Sequence, residues 1–125
     1  MASRRPEISF RENGDYENPS CAVCTYKRSI TAKRHCACNY IPGIAKYLDM
    51  GDLSCLIAPR KLIVVAGAQD NGFFIDGVRE AYSTIEKVYH AAGVPENCQL
   101  IVGAEGHRFY ADPLWKIFKE MSGWE

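Results

Sequence analysis

An α/β fold built on a parallel sheet is what this sequence predicts, and three features carry the prediction. Lys61 to Ala66 (Lys-Leu-Ile-Val-Val-Ala) is a continuous aliphatic run bounded by Pro59 and Gly67, the pattern of a strand buried on both faces of a sheet. Val78 to Ala92 sets Val78, Ala81, Tyr82, Ile85, Val88 and Tyr89 at helical spacing, with Gly93 as the stop. Gln99 to Val102 then supplies a second short aliphatic strand. A strand, an amphipathic helix and a further strand make one crossover unit, which runs right-handed between parallel strands.

The remaining elements follow in chain order. Residues 1–20 contain Arg5-Pro6, Asn13-Gly14 and Asn18-Pro19, with Ile8 and Phe10 their sizeable aliphatic or Phe side chains. Turn-forming residues dominate, so this stretch reads as a loose N-terminal leader. Ala22 to Ile30 has the composition of a short strand, and a loop with Cys36, Cys38, Pro42 and Gly43 follows. Ile44 to Ile57 carries Ile44, Ala45, Leu48, Leu53, Leu56 and Ile57, which suits two short helical pieces split at Gly51-Asp52. Asp52 is the expected N-cap of the second piece, and Pro59 closes the element. At the end, Leu114 to Met121 reads as a helix with Asp112 as N-cap and Pro113 in its first position. About three parallel strands with crossover helices result.

Composition excludes several classes. Hydrophobic residues make up 47% and charged residues 24%, the balance of a chain that buries a core. Fifteen basic side chains offset fifteen acidic ones, so no overall field draws the chain to nucleic acid or an anionic membrane. The basic residues between Lys27 and Arg34 are interrupted by Ser29, Ile30, Thr31 and Ala32 and read as a solvated face. No apolar run reaches the ~20 residues that span a bilayer, and polar sequence follows Met1 where a signal peptide would have an apolar core. A cytoplasmic location is therefore expected, with Cys21, Cys24, Cys36, Cys38, Cys55 and Cys98 as free thiols.

In an open parallel sheet, ligands collect beyond the carboxyl ends of the strands. That rule selects the loop Gly67-Ala68-Gln69-Asp70-Asn71-Gly72-Phe73-Phe74 and the loop Gly103-Ala104-Glu105-Gly106-His107-Arg108-Phe109. An acid in the first and an imidazole in the second lie on the same sheet edge. A carboxylate on one ring nitrogen fixes the tautomer of a histidine base and stabilises the imidazolium formed on proton transfer. Asp70 and His107 are thus the candidate catalytic pair. Glu105 is the competing carboxylate, on the same loop as the imidazole. Phe73 and Phe74 could wall an acyl pocket or anchor the loop, and Arg108 could reach a substrate beside His107 or point to solvent.

These residues carry a resemblance. From Cys21 to Met121 the chain resembles the C-terminal portion of α/β-hydrolases of the acetyl-xylan-esterase and dienelactone-hydrolase kind. His35 to Gly43 is similar to a segment those enzymes carry before their seventh strand. Leu56 to Gly67 is similar to their Pro-Arg-strand-Gly run into the acid loop. On this resemblance Asp70 matches the triad acid and Gly106-His107 the Gly-His pair, ~35 residues later, a spacing that holds one helix of an α/β unit. Asn71 and Phe74 stand where family members often carry proline, which bears on loop rigidity. The resemblance implies an esterase fold whose C-terminal half occupies residues 21–125, with no cofactor and an ester substrate.

The family's nucleophile sits in Gly-x-Ser-x-Gly. None of Ser3, Ser9, Ser20, Ser29, Ser54, Ser83 and Ser122 has glycines at those places, and none of the cysteines lies in a glycine-flanked elbow. A half-fold also exposes a strand edge and apolar surface. The expectation is therefore a chain inactive alone, which self-associates or meets a partner supplying the N-terminal half. Two alternatives stand beside it: an interaction module reusing the half-fold, and a zinc protein. Cys21-x-x-Cys24 with His35, Cys36 and Cys38 offers enough ligands for a tetrahedral site, but Cys36-x-Cys38 is tighter than the usual knuckle. No metal site is therefore assigned.

Overall fold

The computed structural model describes residues 16–124, and the first fifteen residues of the expected leader lie outside them. A three-stranded parallel sheet runs β1 (Tyr16–Glu17), β2 (Lys61–Gly67), β3 (Cys98–Gly103), in that spatial order. α1 (Met50–Cys55) precedes β2, α2 (Ile75–Ala91) joins β2 to β3, and α3 (Ala111–Ser122) follows β3. The α/β class and the three parallel strands are as the sequence predicts.

β2 is the centre of the molecule because period-two alternation sends its side chains to two different cores. Leu62, Val64 and Ala66 face α2, where Val78, Ala81, Ile85 and Tyr89 meet them. Ile63 and Val65 face the other way, onto Ile101 and the Leu114 side of α3. Every residue of the strand after Lys61 is buried. This two-sided burial is why the run lacks the polar alternation of a half-exposed strand. Pairing with β3 is in continuous register from Leu62↔Cys98 to Gly67↔Gly103. The two strands therefore end level, and the loops after them leave from the same point.

α1 lies on α2 with glycine at the contact. A Cβ on Gly51 would stand 2.7 Å from the Ala81 carbonyl oxygen, so only glycine permits this approach. At the C-terminal side of the molecule, Lys61 Nζ donates to the Tyr16 hydroxyl (2.8 Å) and the Met121 carbonyl (2.6 Å), tying β1 to the end of α3.

Four expectations are corrected. Part of the proposed leader is ordered sheet: Tyr16–Glu17 pairs with Lys61–Leu62, and Ser20 bridges Val65. The strand expected at Ala22 to Ile30 is instead a loop with a short 3₁₀ turn at Tyr26–Arg28. Its apolar residues are buried, but Ser29 and Thr31 hydroxyls accept the turn by donating to carbonyls four or five residues back, a local bonding that competes with a ladder. The helical break in the next segment falls at Tyr47 to Asp49 rather than at Gly51-Asp52, because Asp49 is the N-cap of α1 and Asp52 its reciprocal partner in a capping box. α3 starts one turn early, at Ala111, with Tyr110 as an N-cap lacking a side-chain bond, so Asp112 falls in the first turn.

Asp49 holds more than a helix end. Its Oδ1 accepts from the N–H of Met50 (2.7 Å) and of Tyr26 (2.9 Å), joining α1 to the loop after β1. Asp49→Ala should lower stability by about 1–2 kcal/mol, the upper part of the range for a lost N-cap. Urea denaturation of the two proteins checks this, with an unchanged midpoint against it.

Candidate active site

The loops after β2 and β3 are laced by backbone hydrogen bonds. Ala68 N–H donates to Gly103 O (2.8 Å) and Gln69 N–H to Glu105 O (2.9 Å). Gly67 makes this possible: a Cβ there would stand 2.1 Å from Gly106 O and 2.6 Å from Glu105 O, both backbone atoms. The acid loop turns at once, Asp70 N–H closing on Gly67 O at 3.2 Å.

That turn aims Asp70 inward, and its carboxylate is 4% exposed as a residue. Burial of a carboxylate is costly unless each oxygen finds a donor. Oδ1 accepts from the N–H of Gly72 (2.8 Å) and of Phe73 (3.1 Å). Oδ2 lies 2.8 Å from Nδ1 of His107. A carboxylate only accepts, so Nδ1 is the donor and Nε2 carries the lone pair. His107 presents 60% of its side chain to solvent while Asp70 presents 1%. The result is an imidazole fixed at one nitrogen by a rigid buried acid and open at the other, which is the geometry of a positioned general base.

Phe73 supports the ring. It is buried, stacks on His107 with centroids 5.9 Å apart and planes at 30°, and meets His35 edge-on at 5.1 Å. Of the two readings offered for Phe73, loop anchor describes its place among Cys24, Ala66 and Val78. Phe74 is the N-cap residue of α2, its carbonyl accepting from Val78 N–H (3.1 Å). Arg108 is exposed and paired with Glu105 at 2.5 Å, which raises its pKa through that hydrogen bond and charge. The carboxylate that meets His107 is that of Asp70, while Glu105 faces Arg108.

One member of the site was missed from the sequence. Cys21 is buried, and its Sγ lies within 4.8 Å of the nearest donor atoms of both Asp70 and His107. Its backbone is left-handed (φ 49°), which a side chain adopts at a cost of about 1–2 kcal/mol. The conformation is held by Cys21 N–H donating to Val65 O at 2.8 Å, while the thiol contacts Arg108 O at 3.3 Å. Burial, and after it the Asp70 charge, raise the Cys21 pKa against the lowering effect of the hydrogen bond to Arg108 O. The strand-end rule would have found this residue had β1 been placed at residues 16–20. The other thiols of the proposed zinc knuckle do not gather. Cys24 is wholly buried against the Phe74 carbonyl, its pKa pushed up to about 11 by burial, and Cys36 and Cys38 are exposed. Among the described residues the single group of three ligand-type side chains is Cys21, Asp70 and His107.

A parallel sheet covered on both faces, with an acid and a histidine meeting beyond neighbouring strand ends, has the architecture of a partial α/β-hydrolase fold. Comparisons with known proteins found partial likenesses. YtaP of Bacillus subtilis (strain 168), named as a hydrolase, is 28% identical over 74 residues, which are 59% of this chain and 25% of YtaP. A carbohydrate esterase family 15 glucuronoyl esterase from Caldicellulosiruptor kristjansonii superposes with a TM-score of 0.66 at 15% identity, covering 94% of this chain and 39% of the esterase. Methylesterase BT1017 overlaps with a TM-score of 0.49 at 19% identity, over 59% of this chain and 17% of its own. No family model matches the sequence. The chain thus spans a quarter of its curated relative and about two fifths of the glucuronoyl esterase. Among the described residues no helix is long and apolar enough to cross a membrane.

Proposed function

We propose that this chain supplies the acid and the base of a serine-type carboxylic-ester hydrolase, Asp70 orienting His107, with the nucleophile contributed by polypeptide beyond these 125 residues. The observation that carries the reading is the 2.8 Å contact from buried Oδ2 to Nδ1 of an imidazole otherwise open to solvent. In this role Nε2 takes the proton of the attacking hydroxyl as the serine adds to the ester carbonyl. It then returns that proton to the leaving alkoxide, and water repeats the cycle on the acyl-enzyme. Asp70 keeps its charge throughout and stabilises the imidazolium. Backbone donors for the oxyanion would come with the nucleophile's half of the fold.

Sheet geometry supports an origin outside the chain. β1 is two residues long and pairs on one side with β2, so its other side is where a larger parallel sheet would continue. The complementing half is therefore either upstream sequence of the same protein or a partner chain that adds strands at β1. The test is hydrolysis of a short acyl ester by the chain alone and by the chain co-produced with the neighbouring open reading frame. Turnover in the pair, lost on His107→Ala, is expected. Absence of turnover in every combination, or turnover indifferent to His107, would overturn the reading.

A further inference from the structure

The ester-hydrolysis reading uses Asp70 and His107 and leaves Cys21 without a task. Cys21 nevertheless comes from a third strand end, sits in a left-handed conformation, and brings its sulfur to within 4.8 Å of both. A thiol, an imidazole nitrogen and a carboxylate oxygen converging from three separate loops are a ligand set for a borderline-soft cation.

We propose that Cys21, Asp70 and His107 form a three-ligand binding site for Zn²⁺ or Cd²⁺, with solvent as the remaining ligand. A tetrahedral zinc with ordinary bond lengths sets nitrogen and oxygen ligands about 3.3 Å apart and sulfur and oxygen about 3.5 Å apart. The Asp70–His107 contact, at 2.8 Å, has to open by roughly half an ångström to admit the ion. His107 can make that movement, being mostly exposed. The sulfur lies within 4.8 Å of both other ligand atoms. Backbone donors from Gly72 and Phe73 fix the Asp70 carboxylate, and the bond from Cys21 N–H to Val65 O fixes the main chain that carries the thiol. Binding releases the thiol proton and the Nδ1 proton to solvent, and the ion then bridges the groups that the proton had joined. Sulfur selects the metal: Mg²⁺ and Ca²⁺ prefer all-oxygen sites and should not compete.

The site requires these three side chains and no ester turnover, so binding can be tested without the hydrolase reading; an ion held there takes Nδ1 and Oδ2 from the acid–base pair, and the metal-bound chain would lack the base that ester hydrolysis needs. The experiment is titration of the full 125-residue chain with Zn²⁺ by calorimetry and with Cd²⁺ by its ultraviolet thiolate charge-transfer band. One ion per chain is expected, with the band present and unaffected by excess Mg²⁺. Cys21→Ser and His107→Ala should each weaken binding by at least about 100-fold, beyond what loss of an outer-shell partner costs. The Cys36→Ser/Cys38→Ser double variant, altering the exposed thiols, should bind as the parent does. Circular dichroism separates lost binding from lost fold, and His107→Ala, on an exposed side chain, serves if Cys21→Ser fails to fold. No stoichiometric ion, a band that survives Cys21→Ser, or binding indifferent to His107 would each overturn the proposal.

Discussion

Asp70→Asn is expected to reduce ester turnover by the complemented hydrolase by about 10⁴-fold, the cost known for the equivalent change in a serine-protease triad, while leaving the fold almost unchanged. Asparagine keeps an oxygen where Oδ1 accepts from Gly72 and Phe73. What changes is the atom facing His107: an amide N–H₂ now points at Nδ1, which must accept. The proton moves to Nε2, and the nitrogen that should receive the nucleophile's proton no longer can. Asp70→Ala is a different experiment, because it strands the N–H groups of Gly72 and Phe73, the buried one of Phe73 at about 1–3 kcal/mol. The informative pattern is therefore a collapse of kcat in Asp70→Asn at an unchanged urea midpoint. Full activity in Asp70→Asn would show that this acid does not set the tautomer.

The largest stability effect is expected at Gly67→Ala. A methyl group there would meet Gly106 O at 2.1 Å, Glu105 O at 2.6 Å and Gly106 C at 2.8 Å. None of these atoms is the end of a flexible side chain that could swing away. The two loops must separate, and the bonds from Ala68 and Gln69 to the β3 loop must lengthen or break with them. A loss of at least about 3 kcal/mol is expected, the upper end for overpacking a well-fitted site. Denaturant unfolding gives the magnitude. The imidazole NMR resonances of His107 report separately whether the contact with Asp70 is lost, which a purely global weakening would not do. A midpoint within experimental error of the parent would contradict the close approach of the two loops.

Both predictions rest on features with different visibility in the sequence. The α/β class, β2, α2 and β3 were legible because each is dominated by one short-range signal. An aliphatic run of strand length fills a two-faced core, a 3.6-residue stripe matches a helix laid on the sheet, and Gly93 ends that helix at φ 75°. Asp70 and His107 were legible for a related reason. Once two parallel strands are known, the loops at their carboxyl ends are fixed to one edge of the sheet, the first holding Asp70 and the second Glu105 and His107.

The segments around β1 were not legible, because what decides them is far away in the chain. Nothing in Tyr16-Glu17 announces a strand; it is one because Lys61 and Leu62 offer it a ladder and Lys61 ties Tyr16 to Met121. Ala22 to Ile30 has apolar residues in strand-like proportion, yet hydroxyls at Ser29 and Thr31 and the Asp49 carboxylate take up its backbone groups as a turn. Sequence by itself thus determined the sheet's centre and that Asp70 and His107 leave its carboxyl edge on neighbouring loops. Only the tertiary structure decided that Cys21 joins them, because bringing a third loop to that point depends on long-range pairing between β1 and β2, which no local pattern of residues encodes.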